Sequence, residues 1–201
     1  MKSIVKVAAL AVAAALAGAP ALAQEWDKIR IGTEGAYPPF NFFDSDGNLQ
    51  GFDIDIANAL CEEMGVECEF VAQDWDGIIP ALLAGKYDAI IASMSITPER
   101  AEVVAFTDKY YQTPARFVAP EDTDIAGNTP EDLAGKTIGA QSATTHATYL
   151  EDKYTDSTVR LYPTQDEANL DLVSGRLDAI LADSLVLYEW LNNAEEGECC
   201  K

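Results

Sequence analysis

A ten-residue pattern occurs twice in the chain, and this internal repeat constrains the fold more than any other feature. Residues 84–93 read AGKYDAIIAS, and residues 174–183 read SGRLDAILAD. In both copies Gly and a basic residue precede Asp and a short apolar run, and apolar residues at helical spacing come before the Gly. Each copy therefore predicts a helix that ends at the Gly and is followed by a short buried strand.

The repeat predicts two similar lobes with an α/β fold. Residues 29–40 and 136–150 support it, because each stretch contains a strand pattern with Ile-Gly and then a polar loop. Strands that alternate with helices predict a mostly parallel sheet flanked by helices in each lobe. We expect the first lobe over residues 24–113 and the second over 114–201, since a polar cluster interrupts the apolar pattern at this boundary.

The first 23 residues have the pattern of a bacterial signal peptide. Lys2 and Lys6 precede a short Ala-rich apolar run, and Ala21-Leu22-Ala23 has the small residues of a cleavage site. The apolar run is too short to span ~30 Å of hydrocarbon comfortably, so we favour export over a membrane anchor. We therefore predict cleavage after Ala23 and a periplasmic mature protein.

The charge balance excludes polyanionic partners. The chain carries 13 Lys and Arg residues against 34 Asp and Glu residues, for a formal net charge of −21. Binding to nucleic acid or to anionic lipid needs clustered basic residues, so we expect neither.

The cysteines fit an oxidising compartment. Cys61 lies near the end of a predicted helix and Cys68 opens the next predicted strand. In the periplasm a disulfide between them is favoured over two buried free thiols. The pairing of the adjacent Cys199 and Cys200 stays open. With one His and no Cys pair at zinc-finger spacing, we expect no metal site.

Residues at the predicted carboxyl ends of the strands are the candidate ligand contacts, because ligands of open α/β sheets bind there. These residues are Glu34, Ser93, Met94 and Ser95 in the first lobe and Gln141, Ser142 and Asp183 in the second. Asp183 could accept from an ammonium group or cap the next helix, and both interpretations stay open.

Other candidates come from helix starts and aromatic positions. Arg100 follows Thr97-Pro98, an N-cap pattern, and its guanidinium matches a carboxylate unless it is a solvated surface residue. Thr144 and Thr145 open a predicted helix whose free N–H groups suit an anion. Tyr37 and Trp75 lie beside loop signals, where they could stack on a ligand or pack in the core. His146 is interpreted as a polar helix residue.

Five segments together resemble the polar amino-acid family of periplasmic solute-binding proteins of ABC importers, namely GTEGAYPPFNF, GFDIDIANALC, DWDGIIPALLAGKYDAIIASMSITPER, FTDKYY and IGAQSATTHATYL. The groups most similar to this chain bind lysine, arginine and ornithine, histidine, or opines. The resemblance runs from about Ile29 to Asp183. It implies the type II two-lobed fold with a ligand cleft between the lobes. Because family members continue past the region corresponding to Lys201, we expect a truncated sequence.

The resemblance also implies roles for the residues that bind the ligand backbone. Arg100 would clamp the α-carboxylate with help from Ser95 and the N–H of Thr145. Asp183 and Ser93 would hold the α-ammonium group.

For the ligand side chain, the resemblance implies that Tyr37 and Trp75 cover it and that Glu34 faces its distal end. This chain departs from the family pattern at several positions. Trp75 stands where the basic amino-acid binders often have Leu, Glu34 where they have Asp, Ala92 where they often have Ser, and Ala143 where Gly is usual.

These observations predict a binding protein without cofactor or catalysis. We expect a monomer that captures a polar, cationic L-amino acid between its lobes and delivers it to an ABC permease in the inner membrane. One alternative is a cyclohexadienyl dehydratase-like enzyme on the same fold, with Glu34 as acid or base. Another is a sensory protein that presents its ligand to a receptor.

Overall fold

The computed structural model describes residues 26–201, so the predicted signal peptide and its cleavage site lie outside the described residues. Strands and helices alternate along this part of the chain. The strands are β1 (Lys28–Thr33), β2 (Ala36–Tyr37), β3 (Asn41–Phe43), β4 (Leu49–Gln50), β5 (Glu67–Ala72), β6 (Ala89–Ile90), β7 (Ala115–Val118), β8 (Thr137–Gln141), β9 (Thr158–Tyr162) and β10 (Ala179–Asp183). The α-helices are α1 (Phe52–Met64), α2 (Ile78–Leu83), α3 (Pro98–Ala101), α4 (Thr145–Lys153), α5 (Gln165–Val173) and α6 (Ser184–Asn193), with 3₁₀ helices at Trp75–Gly77 and Glu195–Cys199.

The N-terminal sheet has β1 at its centre, with β5 and β6 parallel to it on either side. The small antiparallel sheet β2–β3–β4 lies between β1 and α1 in the chain. Apolar residues of β1 and α1, including Ile31 and Ala57, pack together with the half-cystine Cys61. A second cluster around Ile78 and Tyr87 packs α2 against the segment that follows it.

The C-terminal sheet has the strand order β7–β10–β8–β9. β8 is parallel to both β9 and β10, whereas β7 runs antiparallel to β10 at the sheet edge. Two apolar clusters enclose the sheet, one around Ile180 and Leu172 and the other around Ile138 and Leu181. Neighbouring residues of β10 belong to different clusters, as expected for a strand that is covered on both faces.

The two copies of the sequence repeat fold alike. Gly85 and Gly175 follow α2 and α5 with φ of 72° and 71°, a left-handed conformation that glycine adopts without a Cβ penalty. In both copies the N–H of the next residue, Lys86 or Arg176, donates to a carbonyl of the last helical turn at 3.0 Å. Both helices thus end in the same Schellman motif, as the sequence predicts.

The repeated aspartates have equivalent hydrogen bonds. Asp88 Oδ2 accepts from the amide of Arg30 in β1 at 2.9 Å, and Asp178 Oδ2 accepts from the amide of Thr137 in β8 at 2.7 Å. The amides of Asp88 and Asp178 donate back to the carbonyls of the same two residues at 2.8 Å. Each Asp therefore attaches the start of its repeat strand, β6 or β10, to the parallel neighbour of that strand, β1 or β8.

The two sheets are connected by residues 105–114, which form neither helix nor strand. Within the described residues β6 pairs with β1 alone, and a groove runs along its other side. At the end of the chain, Lys201 exchanges backbone hydrogen bonds with Ala119 just beyond β7, at 2.9 and 3.0 Å. None of the helices within residues 26–201 has the length and apolar character needed to cross a bilayer.

Both cysteine pairs form disulfides. Cys61 at the end of α1 is bonded to Cys68 in β5, and the adjacent Cys199 and Cys200 are bonded to each other. The first bond joins a helix to the strand that follows it, as the sequence predicts. α1 itself ends at Gly65, whose φ is 70°.

Replacing both Cys61 and Cys68 by Ala should lower the free energy of unfolding by about 2–3 kcal/mol, because the bond closes a short loop and restricts the unfolded chain. Urea denaturation followed by circular dichroism measures the change. The control is the Cys199→Ser/Cys200→Ser variant, in which no comparable chain loop is opened. A loss in the control as large as that in the first variant would contradict loop closure as the cause.

Candidate functional site

A small cavity of about 20 Å³ lies between the carboxyl ends of the two sheets. Every residue that the resemblance implies as a ligand contact lines this cavity, and so do Gln141 and Thr144. Ala92 and His146 also line it. Met94 lies elsewhere, against the cluster around Tyr87 and along the groove beside β6.

Arg100 is held at the cavity from several sides. Thr97 caps α3 as the sequence predicts, since its Oγ1 accepts from the Arg100 amide at 3.2 Å. The guanidinium carbon lies 5.3 Å from the centre of the Trp75 ring, within cation–π range. The guanidinium donates to the carbonyls of Ser95 at 2.8 Å and Ala143 at 2.9 Å. Burial lowers the pKa of Arg100, yet an arginine stays cationic at neutral pH.

Two residues beside the cavity have strained backbones. Ser93, which follows β6, has φ of 54°, and Ala143, which follows β8, has φ of 52°. For a residue with a Cβ this conformation costs roughly 1–2 kcal/mol. At Ala143 it accompanies a carbonyl that accepts from both Trp75 Nε1, at 3.2 Å, and Arg100. The strained loop of the C-terminal sheet thereby contacts two residues of the N-terminal part.

A further hydrogen bond joins the N-terminal and C-terminal parts of the chain. Ser142 Oγ donates to Asp76 Oδ1 at 2.8 Å. Ser142 thus links the two parts of the chain, whereas the neighbouring Thr144 caps α4 by accepting from the Ala147 amide at 3.1 Å.

Asp183 accepts hydrogen bonds from two other parts of the chain. Its Oδ2 accepts from the Tyr37 hydroxyl of β2 at 2.7 Å, and its Oδ1 accepts from the Thr113 hydroxyl of the connecting segment. Its side chain makes no capping hydrogen bond to α6, so the capping interpretation does not apply. Burial and the adjacent carboxylate raise the pKa of Tyr37, so this phenol stays a donor. Sequence reasoning missed Thr113.

His146 lies in the cavity, although the sequence suggested a simple polar helix residue. It is the second residue of α4, and its Nε2 is 4.0 Å from Asp183 Oδ2. Burial lowers the pKa of the imidazole, while Asp183 opposes that shift. A signal was present in the sequence, because a helix predicted to begin at Thr144 and Thr145 places the next residue near the strand-end edge of the sheet.

Glu34 is buried where β1 ends. It is 9% exposed, and its Oε1 accepts from Gln141 Nε2 at 2.5 Å. Burial raises the pKa of Glu34 to about 7, against the effect of the Gln141 hydrogen bond and with a contribution from Asp166, Asp74 and Asp76. A cation beside Glu34 would favour its ionised form.

Asp53 contacts Ser93, which lines the cavity, and sequence reasoning missed this role of Asp53. It lies fully buried in the first turn of α1 and accepts from Asn41 at 2.9 Å, Ser93 at 2.8 Å and Tyr110 at 2.7 Å. Because the Ser93 hydroxyl proton is used in this bond, its oxygen remains an acceptor toward the cavity. The sequence pattern alone does not show that Asp53 is buried whereas Asp55, two residues later, is exposed.

The cavity therefore combines one cation, Arg100, with two carboxylates, Asp183 and Glu34, and with the N-terminus of α4. In residues 26–201 no group of three or more His, Cys, Asp or Glu side chains is arranged to hold a metal ion. Separate positive and negative groups in one small cavity suit a small zwitterion, because each end of such a molecule finds an opposite charge.

Comparison with known proteins agrees with this chemistry. The family described as bacterial extracellular solute-binding proteins, family 3, matches residues 29–194. The L-arginine-binding protein of Pseudomonas aeruginosa is 50% identical over 173 residues, which are 85% of this chain and 66% of that protein. The chain thus spans slightly less than two thirds of this relative.

Solved structures show the same fold. An ancestral arginine-binding protein bound to arginine has a TM-score of 0.81 and 39% identity, over 87% of this chain and 77% of that one. An ancestral amino acid-binding protein, a precursor of cyclohexadienyl dehydratase, has a TM-score of 0.78 and 38% identity, over 82% of this chain and 73% of that one. The α/β fold predicted from the repeat is confirmed.

Replacing Asp53 by Ala should lower the free energy of unfolding by about 3 kcal/mol, because three buried or half-buried donors lose their acceptor. Urea denaturation measures this loss. The matched control is Asp55→Ala in the same helical turn, where the side chain is exposed and a change within about 0.5 kcal/mol is expected. Equal losses in the two variants would contradict the bonding role of Asp53.

Proposed function

The chain belongs to the bacterial extracellular solute-binding proteins of family 3, and from this premise we propose that it binds an L-amino acid with a cationic side chain. The observation that carries the proposal is the cavity itself, which brings Arg100, Asp183 and Glu34 together between the two sheets. The 50% identity to an L-arginine-binding protein supports arginine as the first ligand to test.

In this proposal Arg100 binds the α-carboxylate of the ligand. Its guanidinium is already oriented by the Trp75 ring and by the Ser95 and Ala143 carbonyls, so little side-chain freedom is lost on binding. The first N–H groups of α4, at Thr145, lack partners within the helix and suit the same anion. A carboxylate there can pair with Arg100 through two parallel hydrogen bonds.

Asp183 binds the α-ammonium group, with Ser93 as a second acceptor. Tyr37 and Thr113 each donate to one Asp183 oxygen, and a carboxylate has further lone pairs for an ammonium. The Ser93 oxygen is available because its proton is donated to Asp53. An ammonium group thus meets two oriented acceptors.

Glu34 binds the distal cation of the ligand side chain, and Tyr37 and Trp75 enclose the chain that leads to it. Tyr37 and Trp75 are 7% and 8% exposed, so they can shield this apolar part from water. Gln141, which now donates to Glu34, would share that carboxylate with the ligand.

We also propose that residues 24–113 and 114–201 are two lobes that close around the ligand, with residues 105–114 in the hinge. A ligand that contacts both lobes favours the closed arrangement, since only differential contacts shift such an equilibrium. The mature protein would act in the periplasm as a monomer, after cleavage at Ala23, and deliver its ligand to an ABC permease.

A catalytic role is the second candidate. A carboxylic acid with a pKa of about 7, as at Glu34, is suited to general acid–base chemistry. The structural relative described as a precursor of cyclohexadienyl dehydratase makes prephenate and arogenate the substrates to test. Product formation that depends on Glu34 would favour the enzyme over the binding protein.

Replacing Arg100 by Ala, or Asp183 by Asn, should weaken L-arginine binding at least 100-fold, because each change removes one partner of a buried charged group. Isothermal titration calorimetry at pH 7.5 measures the dissociation constants. The controls are Arg116→Ala and Asp152→Asn, which make the same charge changes at exposed positions. Wild-type affinity in both Arg100→Ala and Asp183→Asn would refute the proposed backbone clamp.

Replacing Glu34 by Gln should reduce the ratio of L-arginine affinity to L-citrulline affinity at least 10-fold, since citrulline has a neutral side chain of similar shape. In the wild type this ratio should fall as the pH drops through about 7, because the cation binds only the ionised Glu34. The variant should show no such fall. An exposed Glu151→Gln variant is the control, and a ratio unchanged by Glu34→Gln would exclude Glu34 as the cation partner.

A further inference from the structure

We propose that His146, when it is protonated, competes with the ammonium group of the ligand for Asp183. The neutral imidazole leaves Asp183 free to bind the ligand, whereas the imidazolium pairs with Asp183 in place of the ligand. The inference deepens the proposed function and rests on it. It predicts a binding protein that holds its amino acid at neutral pH and releases it in a mildly acidic medium.

The geometry places His146 within reach of the same carboxylate oxygen that the ligand would use. His146 Nε2 is 4.0 Å from Asp183 Oδ2, while Tyr37 already donates to that oxygen at 2.7 Å. At 4.0 Å a neutral imidazole makes no hydrogen bond, so one lone-pair direction of Oδ2 stays open. The same separation is short enough for an ion pair once the imidazole is charged.

Burial strengthens the ion pair that a protonated His146 would form with Asp183. The side chains of His146 and Asp183 are 13% and 20% exposed, so water screens their interaction poorly. An imidazolium there would lower the negative potential at Asp183, and it would repel the α-ammonium of a ligand in the same small cavity. Ligand and proton therefore compete.

The surroundings set the pH at which competition begins. Burial lowers the pKa of His146, and Asp183 acts against this shift. Five titratable or charged groups surround the subsite. They are Tyr37 on β2, Asp183 on β10, Arg100 on α3, Glu34 at the end of β1 and Tyr111 on the connecting segment. Arg100 adds positive charge to the cavity and Glu34 adds negative charge.

The sign of the pH effect follows from this competition. A bound ammonium next to the imidazole disfavours the imidazolium, so the complex binds fewer protons than the free protein does. Ligand affinity should therefore be constant at high pH and fall only at a pH below 6.5, the ordinary value for a histidine, because burial lowers the pKa of His146. His146 is the single His of the chain, so no other imidazole contributes.

The test uses L-citrulline and the Glu34→Gln background, which together remove the titration of Glu34 and the cation of the side chain. Calorimetry gives the citrulline affinity at pH 7.5 and pH 5.0 for Glu34→Gln and for Glu34→Gln/His146→Gln. We expect at least a 5-fold larger loss of affinity at pH 5.0 when His146 is present. Equal losses in the two variants would overturn the inference.

Nuclear magnetic resonance provides a second readout in the wild type, because one His gives one set of imidazole signals. Citrulline should move the midpoint of the imidazole titration to lower pH, an effect that a merely structural histidine would not show. A midpoint that is unchanged or raised by citrulline would overturn the inference. If neither arginine nor citrulline binds the wild type at pH 7.5, both the proposed function and this inference fail. If the ligand binds but the pH dependence of its affinity is the same with and without His146, only the inference fails.

Discussion

The structure depends on one constraint, which is that the strands of two mostly parallel sheets end at edges that face each other. Loops at these edges carry polar groups that the sheets themselves do not satisfy. They are satisfied across the gap, where Tyr37 donates to Asp183, Gln141 donates to Glu34, and Arg100 donates to the Ala143 carbonyl. The groups that hold the two parts together therefore also line the cavity, so binding and closure involve the same residues.

Three acidic side chains in and behind the cavity differ in the donors that they receive, and this difference separates their roles. Asp53 accepts from three side chains and is a structural centre behind Ser93. Asp183 accepts from Tyr37 and Thr113 and keeps lone pairs for a further donor. Glu34 accepts from Gln141 alone, and burial raises its pKa to about 7. A buried carboxylate that accepts fewer hydrogen bonds depends more on a neighbouring cation to stay ionised.

Features that depend on neighbours in the sequence could be predicted. The helix ends at Gly85 and Gly175, the Thr97 cap that positions Arg100, and the Cys61–Cys68 disulfide all involve residues that are close along the chain. The two-lobed α/β fold followed from the repeat, because alternating helices and buried strands leave few other arrangements. The strand-end rule then led to five of the residues that line the cavity, namely Glu34, Ser93, Ser95, Gln141 and Asp183.

The sequence by itself thus determined the elements, their duplication, and the edge of each sheet where a ligand would bind, because these depend on local periodicity and on chain direction. Only the tertiary structure decided which polar residues meet. Asp53 contacts Tyr110, Thr113 contacts Asp183, and His146 lies beside Asp183, although each pair is far apart in the chain. Contacts between distant residues depend on how whole elements pack, and a local pattern carries no information about that packing.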